Sequence, residues 1–262
     1  MDKNMYSAYL DILKEELVPA MGCTEPVAVA FAGALARETL GELPKTVKLT
    51  VSGNIIKNVK SVIVPHTGGR RGLHTAVAAG ICFGSADKEL EVLSDVTKEE
   101  LSEMDAFLSK AKITVSESDS SCPFDIQVSV CTELHDAYVR IIGNHTNVVT
   151  VRRDNEFIVN KSFNDNVIQA SENRKMLNIK DIVDFANIVK LNDVKEILTR
   201  QIEYNMAIAE AGIRGSYGAS IGKILLRSYG NSIQNRAKAY AAAGSDARMN
   251  GCEFPVVINS GS

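Results

Sequence analysis

Tryptophan is absent from the 262 residues, and aromatic residues of all kinds make up only 6%. So few ring faces exclude a stacking platform for single-stranded nucleic acid. A dominant charge is lacking too: 29 basic against 32 acidic side chains leave a net charge of −3, which gives phosphate-backbone binding no electrostatic support. No apolar run reaches the roughly 18 residues needed to span a bilayer. The longest, 27–36, is alanine-rich and broken by Gly33. The opening Met1-Asp2-Lys3-Asn4 lacks the basic start and apolar core of a secretory signal, so a cytoplasmic protein with no membrane and no nucleic-acid partner is expected. Cys-x-x-Cys pairs are also missing, which removes zinc knuckles and ferredoxin-type runs. The five cysteines, at 23, 82, 122, 131 and 252, are an odd number in a long chain and argue against a disulfide framework.

What is present is the balance of a globular protein, 45% hydrophobic and 23% charged, with length for one or two domains. Met5, Tyr9, Ile12, Leu13 and Leu17 recur at helical spacing until Pro19 closes the pattern. A second helix is expected from Thr24 as N-cap and Pro26 in the first turn, with Gly41 as its stop. Its alanines and Gly33 predict burial and close packing against other helices. From Pro44 the period changes to two: Val47, Leu49 and Val51 alternate with Lys48 and Thr50. Further strands are expected over 113–117, 124–133, 137–142 and 148–152, with Asp154-Asn155 turning into 156–159. Thr97 and Glu100 form a capping box for an intervening helix. After about residue 170 strands are no longer expected, and Asn192 starts a helix with Val194, Ile197, Leu198, Ile202 and Ile208 on its apolar face. The expected class is α+β: a helical domain, 1–43 with 166–262, carrying an inserted mixed α/β domain at 44–165.

Several segments carry candidate chemistry. Gly218-Ala219-Ser220-Ile221-Gly222-Lys223 imitates a phosphate loop, but it has three residues between its glycines and Ile224 after the lysine, so it is read as a turn. His66-Thr67-Gly68-Gly69-Arg70-Arg71-Gly72 offers convergent backbone N–H groups, two guanidinium groups and a following helix start, which suits a carboxylate; a flexible loop with solvated arginines is the alternative. His145, in a loop between two strands, has the side-chain chemistry of a base near neutral pH, or a purely structural role in its turn. Cys23 precedes the second helix, where the macrodipole favours a thiolate that could ligate a metal or act as a nucleophile. On that reading it is also the thiol expected to alkylate first. A buried structural cysteine accounts for the position equally well. Glu25 is two residues away, as a base or as favourable charge at the helix start. Near the end, 244–252 is a polar cluster, and Asn259-Ser260-Gly261-Ser262 reads as a loop that continues.

Met21-Gly22-Cys23-Thr24-Glu25-Pro26-Val27-Ala28-Val29-Ala30 resembles the opening signature of the L-cysteine desulfidase family, which is related to the α-chain of iron–sulfur L-serine dehydratases. Pro65-His66-Thr67-Gly68, His145-Thr146-Asn147 and Ser245-Asp246-Ala247-Arg248-Met249-Asn250-Gly251-Cys252 resemble family segments in the same order, and 259–262 resembles half of a Ser-Gly-Ser-Gly-Asn-Gln-Gly motif. The resemblance implies a lyase that releases sulfide from L-cysteine, or water from L-serine, to leave pyruvate and ammonia. It implies a [4Fe–4S] cluster with Cys23 as a ligand, His66, His145 and Glu25 as catalytic groups, and Thr67, Gly68, Gly69, Arg70, Asn250 and Ser260 as substrate contacts. The family's other two ligands lie beyond the last motif, so the chain is expected to be truncated and not to assemble the cluster alone. Its expected partners are a small amino acid and a second copy of itself. Two rival readings remain: a module that binds an amino acid or other carboxylate without chemistry, and a cofactor-free enzyme with Cys23 as nucleophile.

Overall fold

The computed structural model describes residues 1–97, 99–162 and 172–259. Among these, α1 (Lys3–Glu16) starts where the Asp2 carboxylate accepts the Met5 N–H at 2.8 Å, and it buries Ala8, Tyr9 and Ile12. The helix ends two residues before the expected stop is complete, because Leu17 already belongs to β1 (Leu17–Met21). β1 pairs antiparallel with β8 (Pro255–Asn259), Pro19 opposite Val257. Neither strand was expected: Pro19 reads as a breaker, yet a two-stranded ribbon tolerates a residue with no N–H to donate. The expectation of no strand after residue 170 is corrected by β8.

The mixed sheet has the order β3-β2-β4-β5-β6-β7, built from β2 (Thr46–Val51), β3 (Lys112–Glu117), β4 (Asp125–Cys131), β5 (Asp136–Ile142), β6 (Val148–Arg153) and β7 (Glu156–Asn160). β2 runs parallel to β3 and antiparallel to β4. The expected alternation appears as register: Val47, Leu49, Val51, Ile126, Val128, Val130, Val139 and Ile141 are all buried. The Asp154-Asn155 turn forms as expected, with Asp154 at φ 50° and Arg153 paired to Glu156.

α2 (Thr24–Leu40) packs along this sheet and against α4 (Gly72–Phe83), with α5 (Glu100–Lys110) outside α4. Glycine permits the α2–α4 approach: a Cβ on Gly33 would lie 2.8 Å from the Val77 carbonyl oxygen. α2, which precedes the boundary expected at residue 43, thus lies on strands that follow it. α1 does join the C-terminal helices, through Tyr6 and Tyr9 against Phe185 at ring distances of 5.5 and 5.4 Å. α2, with almost no polar face, needs cover on all sides, and the sheet and α4 supply it.

The C-terminal layer holds α6 (Ile179–Ile188), α7 (Leu191–Arg214), α8 (Ile221–Tyr229) and α9 (Ile233–Met249). α6 was not expected, although Asn178 caps it by accepting the Asp181 N–H at 2.9 Å. Gly212 and Gly222 lie against the backbone of Ala243 and Ala239 on α9. Of the 218–223 segment expected as a turn, only 218–220 is one; Ile221, Gly222 and Lys223 already belong to α8, which the Asp246 carboxylate caps by accepting the Ile221 N–H at 2.6 Å. Among the described residues, no helix is long and apolar enough to cross a membrane.

Candidate functional site

The N-terminus of α2 is the point on which the motif segments converge. Gly22 adopts φ 66°, and a Cβ there would stand 2.5 Å from Cγ of Pro65, so only glycine allows the 63–71 loop to lie against the helix start. At the other end of the chain, Gly251 (φ 86°) packs on Ile63 of the same loop, which brings the end of α9 to it. The residue at the N-cap is Cys23 itself, with Thr24 as the first helical residue rather than the cap.

Cys23 is 2% exposed, and its thiol donates to Glu25 Oε2 at 3.1 Å. Burial first, and then the negative charge and hydrogen bond of Glu25, push the thiol up to about 12, with the charge of Arg248 acting in the opposite direction. The expectation of a thiolate at this position is thus corrected for the chain as it stands: the desolvation penalty and the adjacent carboxylate outweigh the helix terminus. Burial also acts against the charged form of Glu25. Hydrogen bonds from Cys23, from its own N–H and from Asn58 (3.1 Å to Oε1), together with the charge of His145, outweigh it and hold the carboxyl below its usual range.

His145 stacks at a tilt on Phe124, ring centroids 4.5 Å apart, in a turn fastened by Asn147 Nδ2 to the Ile142 carbonyl at 2.8 Å. His66 is held at φ 56°, a region that disfavours side chains. Its Nδ1 lies 4.0 Å from Glu253 Oε1, and its Nε2 is buried with no hydrogen-bond partner among the described residues.

The glycine loop is organised differently from its expected role. Thr67 is buried and its hydroxyl donates to the Val64 carbonyl at 2.7 Å. Arg70 donates to the Thr67 carbonyl at 2.5 Å and to Asp105 Oδ2 on α5 at 2.6 Å, and Arg71 donates to the Ser61 carbonyl. Both arginines brace the loop, Arg70 through the Asp105 carboxylate, and Gly68 and Gly69 supply its positive φ angles. Asn250 donates to the Asp246 carbonyl at 2.8 Å and packs over Gly218. Ser260 lies outside the described residues.

Sequence reasoning missed Asn58 and Arg248. Asn58 sits in α3 (Gly53–Val59) with no local signal. Arg248 was visible inside the polar 244–252 cluster, but only the fold turns it toward Cys23.

Among the described residues, no group of three or more His, Cys, Asp or Glu side chains is placed to hold a metal ion. Cys82 lies in α4, Cys122 precedes β4, Cys131 ends it and Cys252 follows α9, and the described cysteines do not make a three-thiolate set around Cys23. Alkylation at neutral pH is expected to modify the half-buried Cys122 and Cys131 well before Cys23, which is buried and protonated. Peptide mapping after brief iodoacetamide treatment checks this, and early labelling of Cys23 would overturn the described environment.

The fold and site define a mixed α/β protein in which a thiol and a carboxylate at one helix N-terminus feel the charge of an imidazole, His145, and of a guanidinium, Arg248, with the His66 loop packed alongside. The family model for the serine dehydratase alpha chain matches residues 87–262, and the chain belongs to that family. It is similar to a UPF0597 protein of Desulfitobacterium hafniense (strain Y51), 51% identical over 259 residues that cover 98% of this chain and 60% of that protein. A UPF0597 protein of Treponema denticola is 41% identical over 100% of this chain and 62% of its own length. One of Bacteroides thetaiotaomicron is 36% identical over 97% and 60%. The chain thus spans about three-fifths of the length of the curated relatives it matches. No solved structure matches it.

Proposed function

We propose that this chain carries part of a lyase that eliminates the β-substituent of a small amino acid, sulfide from L-cysteine or water from L-serine, to leave pyruvate and ammonia. Membership of the serine dehydratase alpha chain family carries the reading. The convergence of the 22–25, 63–71, 143–147 and 248–253 segments supports it. In this reading Cys23 is one ligand of an iron–sulfur cluster, and the other ligands come from the additional length that the relatives have. The residues described here do not fit the whole group, so this chain's own contribution is confined to binding and proton handling. Glu25 keeps the thiol hydrogen-bonded, His145 beside it and the orphaned Nε2 of His66 are the bases within the site, and the 66–70 backbone and Asn250 line the substrate's approach, with Ser260 a substrate contact on the family resemblance alone. Self-association belongs to the same reading and has its support in the exposed Ile179, Leu191, Ile202, Ile221 and Ile233 of the C-terminal helices.

The test is anaerobic incubation with iron and sulfide, followed by a visible spectrum and a pyruvate assay with L-serine and L-cysteine, on this chain and on a chain of the relatives' length. The longer protein is expected to gain charge-transfer absorption and turnover, both lost with Cys23→Ala. A longer Cys23→Ala protein that keeps both overturns the ligand assignment, and a longer protein that takes up the cluster but releases no pyruvate overturns the lyase. The latter result would favour the second reading, a module that binds a carboxylate without turnover. That reading draws on the lack of a three-ligand group among the described residues.

A further inference from the structure

Between α7, α9 and β8 lies a cleft of about 380 Å³, lined by Gln201, Asn205, Tyr240, Ser245 and Arg248 with the backbone of 256–258 as its floor. That volume falls within the range of ordinary small-molecule sites, about 300–1,000 Å³. Its lining contains a basic side chain and no acidic one. Asn205 is fully engaged, donating to the Val257 carbonyl at 3.0 Å and accepting the Val257 N–H at 2.9 Å, and so fixes β8 as one wall.

The guanidinium of Arg248 is the group without a counterpart. Its Nε is buried and has no hydrogen-bond partner among the described residues, and no described carboxylate is within ion-pair distance of it. The rest of the guanidinium lines the cleft and has no hydrogen bond or ion pair to a described residue, so it is the charged group there that a ligand can engage. The groups that best complement a planar fork of donors are carboxylate and phosphate. The charge of Arg248 also acts on Cys23, at the start of α2. The arginines of the 66–72 loop, by contrast, are already engaged.

We propose that the cleft between α7, α9 and β8 binds the carboxylate of a small amino acid through Arg248, with Gln201, Tyr240 and Ser245 contacting the rest of the molecule. The identity of the ligand as an amino acid rests on the lyase reading above. Binding itself does not depend on turnover or on a cluster.

Calorimetry and thermal shift on this chain decide the matter, with L-serine, serinamide and inorganic phosphate as probes. L-serine is expected to bind and raise the melting temperature, while serinamide, which has the same side chain and no carboxylate, does not. Arg248→Gln is expected to weaken L-serine binding by about tenfold or more, the scale of a lost charge-assisted pair. Arg248→Lys should recover only part of the loss, because a point charge does not reproduce the fork. Ser245→Tyr, at an exposed helical position, should narrow the cleft and weaken binding in a folded chain even if Arg248→Gln does not fold. Arg214→Gln, whose partner is Glu210 on the surface, should leave binding unchanged. The proposal is overturned by no L-serine binding to the wild type, by equal binding of serinamide, by tighter binding of phosphate than of L-serine, or by unchanged affinity in folded Arg248→Gln or in Ser245→Tyr. If L-serine binds as expected but the longer protein makes no pyruvate, the lyase reading fails while the carboxylate site stands.

Discussion

Replacing Gly80 by alanine is expected to destabilise the protein by about 3 kcal/mol or more, the scale of a severe overpacking defect. A Cβ at this position would fall on the Ala30 carbonyl oxygen, with the Ala30 carbonyl carbon at 2.6 Å and its Cα at 2.8 Å. All of those atoms are backbone of α2, so no side chain can rotate out of the way. The helices would have to separate, and Val77, Ile81, Val27 and Ala34, now fully buried, would lose contacts along the seam. Gly244→Ala is the control: its Cβ would meet nothing nearer than 3.8 Å, and in a helix alanine gains roughly 1 kcal/mol over glycine. Urea midpoints should therefore move in opposite directions for the two variants. A Gly80→Ala protein as stable as the wild type would mean that α2 and α4 are further apart than described.

The second large effect is expected at Asp125, which is 0% exposed at the start of β4. Its carboxylate accepts Arg140 Nε at 2.9 Å and Nη2 at 3.2 Å, the Ser118 hydroxyl at 2.6 Å and Gln127 Nε2 at 2.9 Å. Asp125→Ala removes the buried carboxylate on which a half-buried guanidinium, a hydroxyl and an amide converge, and should cost about 3 kcal/mol. The reverse holds for the pair as a whole: Asp125→Ala with Arg140→Met removes both charges and should recover at least half of the loss. Chemical denaturation of the two variants gives both numbers. A double variant no better than the single would show that the network, and not the ion pair, is what the sheet depends on.

The strands of the mixed sheet were legible because one face of each is buried, and a period of two is then imposed on the residues themselves: Val47, Leu49 and Val51, or Ile126, Val128 and Val130. The Asp154-Asn155 turn was legible from turn chemistry. β1 and β8 were not. Each is five residues long, one contains Pro19, and each becomes a strand only because the other lies beside it, some 240 residues along the chain. The same distinction applies at the site. Cys23, Glu25, His66 and His145 stand out by motif and residue type, whereas Asn58 and Arg248 acquire their places from packing, and the arginines of the glycine loop are drawn away by Asp105 and by backbone carbonyls of the loop and of Ser61.

The sequence by itself determined the alternation of strands, the buried character of α2 and the motifs that place the chain in its family, because each is written in neighbouring residues and their spacing. Tertiary structure alone decided the burial of Cys23, which, with the charge and hydrogen bond of Glu25, pushes its thiol up. It also decided that Arg248 lines a cleft without a carboxylate beside it. Charge in a sequence says only that a guanidinium exists; whether it already has a partner depends on carboxylates and carbonyls that the fold brings from elsewhere, as it does for Arg70 and does not for Arg248.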